Sequence, residues 1–210
     1  MSPPPRTATP PPPPRTYTLI SRDFRNNVIV DPSTQNILYW IETEHAPLFD
    51  RVKWTYIYKP SKDWQGGAGS RELVATIDFR HGSRGIITYG GRRYKLKELF
   101  PKKSWLGKAR TMASPLGKCQ WSPKGNLYNP HGSPLVTYAT NKRFWTRSTS
   151  PTLTFAPNAT FLDMDLVVMG WMVMMHDAES SKAAEEATSP TSGASNGGGR
   201  VIGGVADVKA

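Results

Sequence analysis

Four histidines, one cysteine and a close pair of aspartates are the residues of this chain most suited to chemistry. Nucleophilic or acid–base catalysis needs a nucleophile beside a base, or two carboxylates facing one site. His45, His81, His131 and His176 are scattered and share no motif, so each reads as a surface or structural residue. Asp163 and Asp165 stand two apart in a helix-like segment, about 200° around its axis, and so do not face one site. Cys119 is the single cysteine, which leaves no intramolecular disulfide and no multi-cysteine metal centre; it reads as buried rather than nucleophilic. Gly66-Gly67-Ala68-Gly69 and Tyr89-Gly90-Gly91-Arg92-Arg93 lack the lysine and the strand-to-helix setting of a phosphate-cradling loop. No catalytic residue, metal site or cofactor is expected. An enzyme with an unfamiliar site would have to gather His131, Cys119 and a carboxylate in one cleft.

The stronger chemistry is electrostatic. The net charge of +11 has a location: residues 80–147 hold fifteen Lys or Arg and one acid, Glu98. Its densest part is Arg84, Arg92, Arg93, Lys95, Lys97, Lys102 and Lys103, with Trp105 close behind. Guanidinium groups chelate phosphate, and an exposed tryptophan suits a bilayer interface. A basic face of this kind attracts anionic membrane surfaces or nucleic acid, or serves a protein partner; no DNA- or RNA-recognition motif is present, which places nucleic acid second. Pro10, Pro13 and Arg15 fit P-x-x-P-x-R, a polyproline II ligand for an SH3-type groove.

Short strands must position these residues. Apolar alternation and turn signals predict strands near 17–21, 28–30, 37–43, 52–58, 73–79, 86–89, 92–96, 108–113, 117–122, 126–128, 134–139, 143–147 and 152–155. Leu73, Ala75, Ile77 and Phe79 are expected on one face, with Val74, Thr76 and Asp78 on the other. Gly90-Gly91 predicts a tight hairpin, whose second arm turns Tyr94 and Leu96 inward and Arg93, Lys95 and Lys97 to water. No helix is long enough for parallel crossovers, so an antiparallel barrel or sandwich follows.

The most apolar stretch, 161–177, reads FLDMDLVVMGWMVMMHD. Thr160 followed by Asp163 predicts a helix from about 160 to 176. Its unbroken apolar run, Leu166 to Met175, is half the length a membrane span requires. Apolar on every side, it fits burial rather than a surface stripe. Gly170 implies that a wall residue comes close, and Met169, Met172, Met174 and Met175 can fill irregular gaps. The expected organisation is a disordered proline-rich tail over 1–15, one domain over 16–177, and a disordered Ser/Gly/Ala-rich tail over 178–210. Without a signal peptide, lipidation motif or disulfide, an intracellular, cytoplasmic location is expected, peripheral to a membrane at most; the Asn158-Ala159-Thr160 sequon reads as chance.

The order YTL (Tyr17), VIVDP (Val28), LYWIET (Leu38), IYKP (Ile57), ELVATIDF (Glu72), LKELFPKK (Leu96), CQW (Cys119), PTLTF (Pro151) and FLDMDLVVMGWMVM (Phe161) resembles an uncharacterised, mostly basidiomycete fungal family carrying a domain of unknown function, DUF6593. That family is similar in fold to the tubby C-terminal, phospholipid scramblase and LURP-one-related group. The resemblance implies a closed antiparallel barrel of about twelve strands around a buried C-terminal helix. Some members of that wider group bind phosphoinositides, or calcium at membranes. No residue here matches their ligand sites, so none is carried over, and the expected role is a non-enzymatic binding or scaffold domain.

Overall fold

The computed structural model describes residues 12–46, 51–61, 70–80, 84–104, 107–140 and 150–188. Twelve strands form one antiparallel sheet: β1 (Arg15–Leu19), β2 (Asn27–Val30), β3 (Ile37–Ala46), β4 (Arg51–Pro60), β5 (Arg71–Asp78), β6 (Ile86–Tyr89), β7 (Arg92–Lys95), β8 (Arg110–Ser114), β9 (Gly117–Trp121), β10 (Leu127–Tyr128), β11 (Pro134–Ala139) and β12 (Thr152–Phe155). A single-turn helix, α1 (Leu96–Leu99), follows β7, and a long helix, α2 (Met164–Thr188), ends the described chain. The strand expected at 143–147 lies outside the described residues.

Spatial order is β7-β6-β5-β4-β3-β2-β1-β12-β11-β10-β9-β8. The two chain-distant halves therefore join where β1 pairs with β12, Tyr17 opposite Leu153. Inward residues of nearly every strand, among them Leu19, Ile29, Ile41, Ile57, Ile77, Ile87, Met112, Trp121, Val136 and Leu153, are buried with Val167 to Met169 and Trp171 to Met174 of α2. Partners of α2 and of Asp163, the residue just before it, come from around the sheet: Tyr39 of β3, Lys59 of β4, Tyr89 of β6, Arg110 of β8 and Tyr138 of β11. The sheet thus curls around the helix. The close wall expected at Gly170 is Trp121.

The sheet is not a closed barrel, which corrects the expectation. β7 and β8 are its two edges and do not pair. The chain leaving α1 folds onto β8 instead: Thr111 N–H donates to Pro101 O at 2.8 Å, Lys103 N–H to Ala109 O at 2.9 Å, and Lys102 bridges Arg110. The edge of β8 is thereby covered without β7.

The helix also differs. Thr160 lies outside it, after a 3-10 turn at Pro157–Ala159. Asp163 caps it, accepting from the N–H groups of Asp165 at 2.9 Å and Leu166 at 3.4 Å. At the other end α2 runs to Thr188, so residues 178–188, expected in the disordered tail, are helical. Arg25 reaches Glu179, and Lys108 donates to Glu185 at 2.9 Å. Among the described residues no helix is long and apolar enough to cross a membrane.

The alternation expected in β5 fails at its start. Ala75, Ile77 and Phe79 are buried as anticipated, but Val74 is buried too and Leu73 is 51% exposed. A bulge explains this: Ile57 lies opposite Ala75 while Tyr58 lies opposite Leu73. The extra residue, Val74, shifts Leu73 to the outer face. Asp78 is buried on the outer side, beneath Arg80, whose Nη2 lies 2.7 Å from it.

Candidate functional site

The margin where the sheet stays open carries the cations. Gly90 and Gly91 take positive φ, 55° and 73°, and make the two-residue turn from β6 to β7. Tyr94 then pairs with Ile87 on the inner side, while Arg93 and Lys95 pair with Thr88 and Ile86 on the outer side. Leu96 is buried and anchors α1. Arg84, Arg92, Arg93, Lys95, Lys97, Lys102 and Lys103 are all exposed. Lys103 Nζ donates to Gln120 Oε1 at 2.7 Å, a neutral partner across on β9. Glu98, the acid in this stretch, accepts from the Lys95 backbone N–H at 2.9 Å.

No ion pair among the described residues engages any of those seven cations. Several cations elsewhere are paired, Arg25 with Glu179, Lys59 with Asp165, Arg71 with Glu42, Arg80 with Asp78 and Arg110 with Asp177, whereas the exposed Arg15, Arg22, Lys118 and Lys124 have no ion pair among the described residues. The margin is thus a run of exposed cations, Arg84 ahead of β6 and the other six on β7, α1 and the segment that covers β8, with Glu98 the acid among them. Trp105 and Pro10 lie outside the described residues. Pro13 is exposed, and Arg15 is the first residue of β1, opposite Phe155. Pro12 and Pro13 line a cleft with Tyr17, Phe155 and Met164.

The conventional catalytic candidates do not converge. Cys119 is fully buried, its Sγ 3.3 Å from Ser114 Oγ. His131 is exposed in a turn closed by the Asn129 side chain. His176 stacks on Phe79 with centroids 4.0 Å apart, and burial pushes its imidazole pKa down. His81 lies outside the described residues, as does the side chain of His45. Among the described residues no group of three or more His, Cys, Asp or Glu could hold a metal ion.

Two polar clusters were not legible in the sequence. At the start of α2, Tyr39 donates to Asp165 and Tyr89 to Asp163 at 2.9 Å, with Lys59 Nζ 3.4 Å from Asp165. Burial first, then these carboxylates, push both phenols well above their usual range. Both tyrosines therefore stay protonated as donors, a poor state for a general base. The aspartates do meet neighbouring groups, because Asp163 precedes the helix rather than lying on it. At the far end Arg110, 1% exposed, donates from Nε to Asp177 at 2.7 Å and from Nη1 to Phe100 O at 2.8 Å. These clusters satisfy the polar ends of an apolar helix.

A curled antiparallel sheet around one apolar helix, with exposed cations along one margin, defines a mainly β domain. The chain belongs to a family of unknown function (DUF6593), whose pattern matches residues 22–180. An X-ray structure of an Arabidopsis thaliana protein is similar at a TM-score of 0.39 and 14% identity, covering 80% of this chain and 91% of that one. No curated protein matches the sequence.

Proposed function

We propose that this protein is a non-enzymatic binding domain that docks on anionic surfaces, phosphate-bearing membrane headgroups foremost, through the margin formed by Arg84, β7, α1 and residues 100–103. The observation that carries this reading is the clustering of seven exposed cations that have no ion pair among the described residues. Uncompensated charge on one edge raises the local concentration of anions and speeds encounter with them. Each such cation near an anionic leaflet contributes about 1 kcal/mol of attraction. We place the protein with the tubby C-terminal and scramblase group of a fungal cell, in the cytoplasm at the inner surface of a membrane; the sheet wound on an apolar helix supports that grouping.

Co-sedimentation of the full chain with phosphatidylcholine vesicles, with and without phosphatidylserine, tests the reading. Binding to the anionic vesicles at low salt that fades as salt rises is the expected result. Equal recovery with both vesicle types, or none at low salt, overturns it. Preferential capture of single-stranded RNA would transfer the same margin to nucleic acid.

A further inference from the structure

Not every aromatic residue of β3 and β4 faces α2. Strand register sets three rows across the outer surface. Trp40 lies opposite Tyr58, which lies opposite Leu73. Glu42, Tyr56, Thr76, Thr88 and Arg93 form the second row. Trp54, Asp78, Ile86 and Lys95 form the third. Their inward neighbours Ile41, Ile57, Ala75, Ile77 and Ile87 are buried, so these rows face away from the helix.

A water-facing sheet surface is ordinarily polar. This one carries four aromatic rings on β3 and β4. Tyr56 and Tyr58 stack at 6.3 Å and 22°. Arg71 sits over Trp40 at 4.8 Å and Arg80 over Trp54 at 4.4 Å. The four rings are half-buried and Leu73, turned outward by the bulge, is exposed. The acids among them are engaged: Glu42 with Arg71, Asp78 with Arg80, and Glu44 within 3.4 Å of the Tyr56 hydroxyl. From Tyr56 to Arg93 the second row crosses three strand spacings, about 14 Å. Because the sheet curls, this is a convex flank, with rings on one shoulder and the cations of β7 on the other.

We propose that this flank is the face that lies on an anionic bilayer, with Trp40, Tyr56, Tyr58 and Leu73 entering the headgroup layer while Arg93 and Lys95 meet the phosphates. Tyrosine and tryptophan have an apolar body and a polar tip, which suits the boundary between acyl chains and headgroups. Charge complementarity selects the anionic partner; the rings and Leu73 select a bilayer over a soluble phosphate, since only a bilayer offers them an apolar phase. The inference rests on the binding reading above. It adds an orientation and a component of binding that salt does not screen.

The test compares Leu73→Ser, Tyr58→Ser, Arg93→Glu/Lys95→Glu and the control Leu116→Ser, whose exposed leucine sits in the turn from β8 to β9. Leu73 is already exposed, so its variant guards against a folding failure at Tyr58. Leu73→Ser and Tyr58→Ser, which change no charge, each weaken binding to phosphatidylserine vesicles roughly tenfold, the loss expected for one apolar contact, and leave the salt dependence unchanged. Arg93→Glu/Lys95→Glu flattens the salt dependence, and Leu116→Ser binds like the unaltered protein. If Leu73→Ser and Tyr58→Ser bind normally while the charge reversal abolishes binding, the flank has no role and the margin alone docks. If the unaltered protein does not bind vesicles, both readings fall.

Discussion

Replacing Gly170 by alanine puts the packing of α2 to a direct test. Helix propensity alone favours the change by about 1 kcal/mol. The wall opposes it. A Cβ at Gly170 would lie 2.6 Å from Trp121 Nε1, 2.8 Å from Cε2 and 2.9 Å from Cζ2. Comfortable contact requires roughly 3.5 Å or more, so the ring or the helix must retreat by about 1 Å. Trp121 is fully buried on β9, so its ring can retreat only by displacing core neighbours. Overpacking of this kind costs about 2–3 kcal/mol, the upper part of its usual range, leaving a net loss of about 1–2 kcal/mol. Urea denaturation followed by tryptophan fluorescence measures it. Trp121→Phe removes the pyrrole ring, and in that background Gly170→Ala should be neutral or stabilising. A higher urea midpoint for Gly170→Ala in the unaltered protein would refute the close approach and, with it, the enclosure of the helix.

Three further outcomes follow from the ends of α2. Asp177→Ala leaves Arg110 buried without its anion and should cost about 3–5 kcal/mol, whereas the apolar pair Arg110→Met/Asp177→Leu should recover most of that loss; equal stability of the two variants contradicts the pairing. Asp163→Ala should cost about 1 kcal/mol or more through the lost cap, and Thr160→Ala much less, a contrast read from thermal melting curves. His176, whose folded pKa is depressed chiefly by burial, with Arg25 and Arg110 acting in the same direction against Asp177 and Glu179, binds its proton more readily in the unfolded chain. Its contribution to stability is therefore complete above the ordinary histidine pKa near 6.5 and declines as pH falls from there toward the folded value. Urea midpoints measured across that interval should drop, and His176→Phe should flatten the profile; an unchanged slope in the variant would remove His176 as the cause.

Local pattern carried most of the fold. The strands at 86–89, 134–139 and 152–155 have the expected bounds, and the other strands among the described residues differ at their ends by one to three residues. The hairpin at Gly90-Gly91 and the inward turn of Leu96 follow from residue type alone. Long-range facts were not legible. Leu73 reads as core by alternation, and only the bulge opposite Tyr58 sends it outward. Tyr39 and Asp165 stand 126 positions apart, and Arg110 and Asp177 67 apart; within the basic run Arg110 looks like any of its neighbours. Barrel closure failed because a repeat of alternating strands does not say which segment covers the last edge, and residues 101–103 took the place that β7 would have filled. The helix ran past its apolar stretch because Ala183, Ala184 and the Lys182–Glu186 pair, at 3.7 Å, sustain helix without burial.

The central claim is that the β7–α1 margin gives the molecule its affinity for anionic surfaces. Partitioning of the full chain onto phosphatidylserine-containing vesicles, compared with that of Arg93→Gln/Lys95→Gln/Lys97→Gln at low ionic strength, tests it most directly. Loss of three surface cations should lower the partition coefficient roughly a hundredfold while thermal stability stays within a few degrees. Equal partitioning of the two proteins would contradict the account.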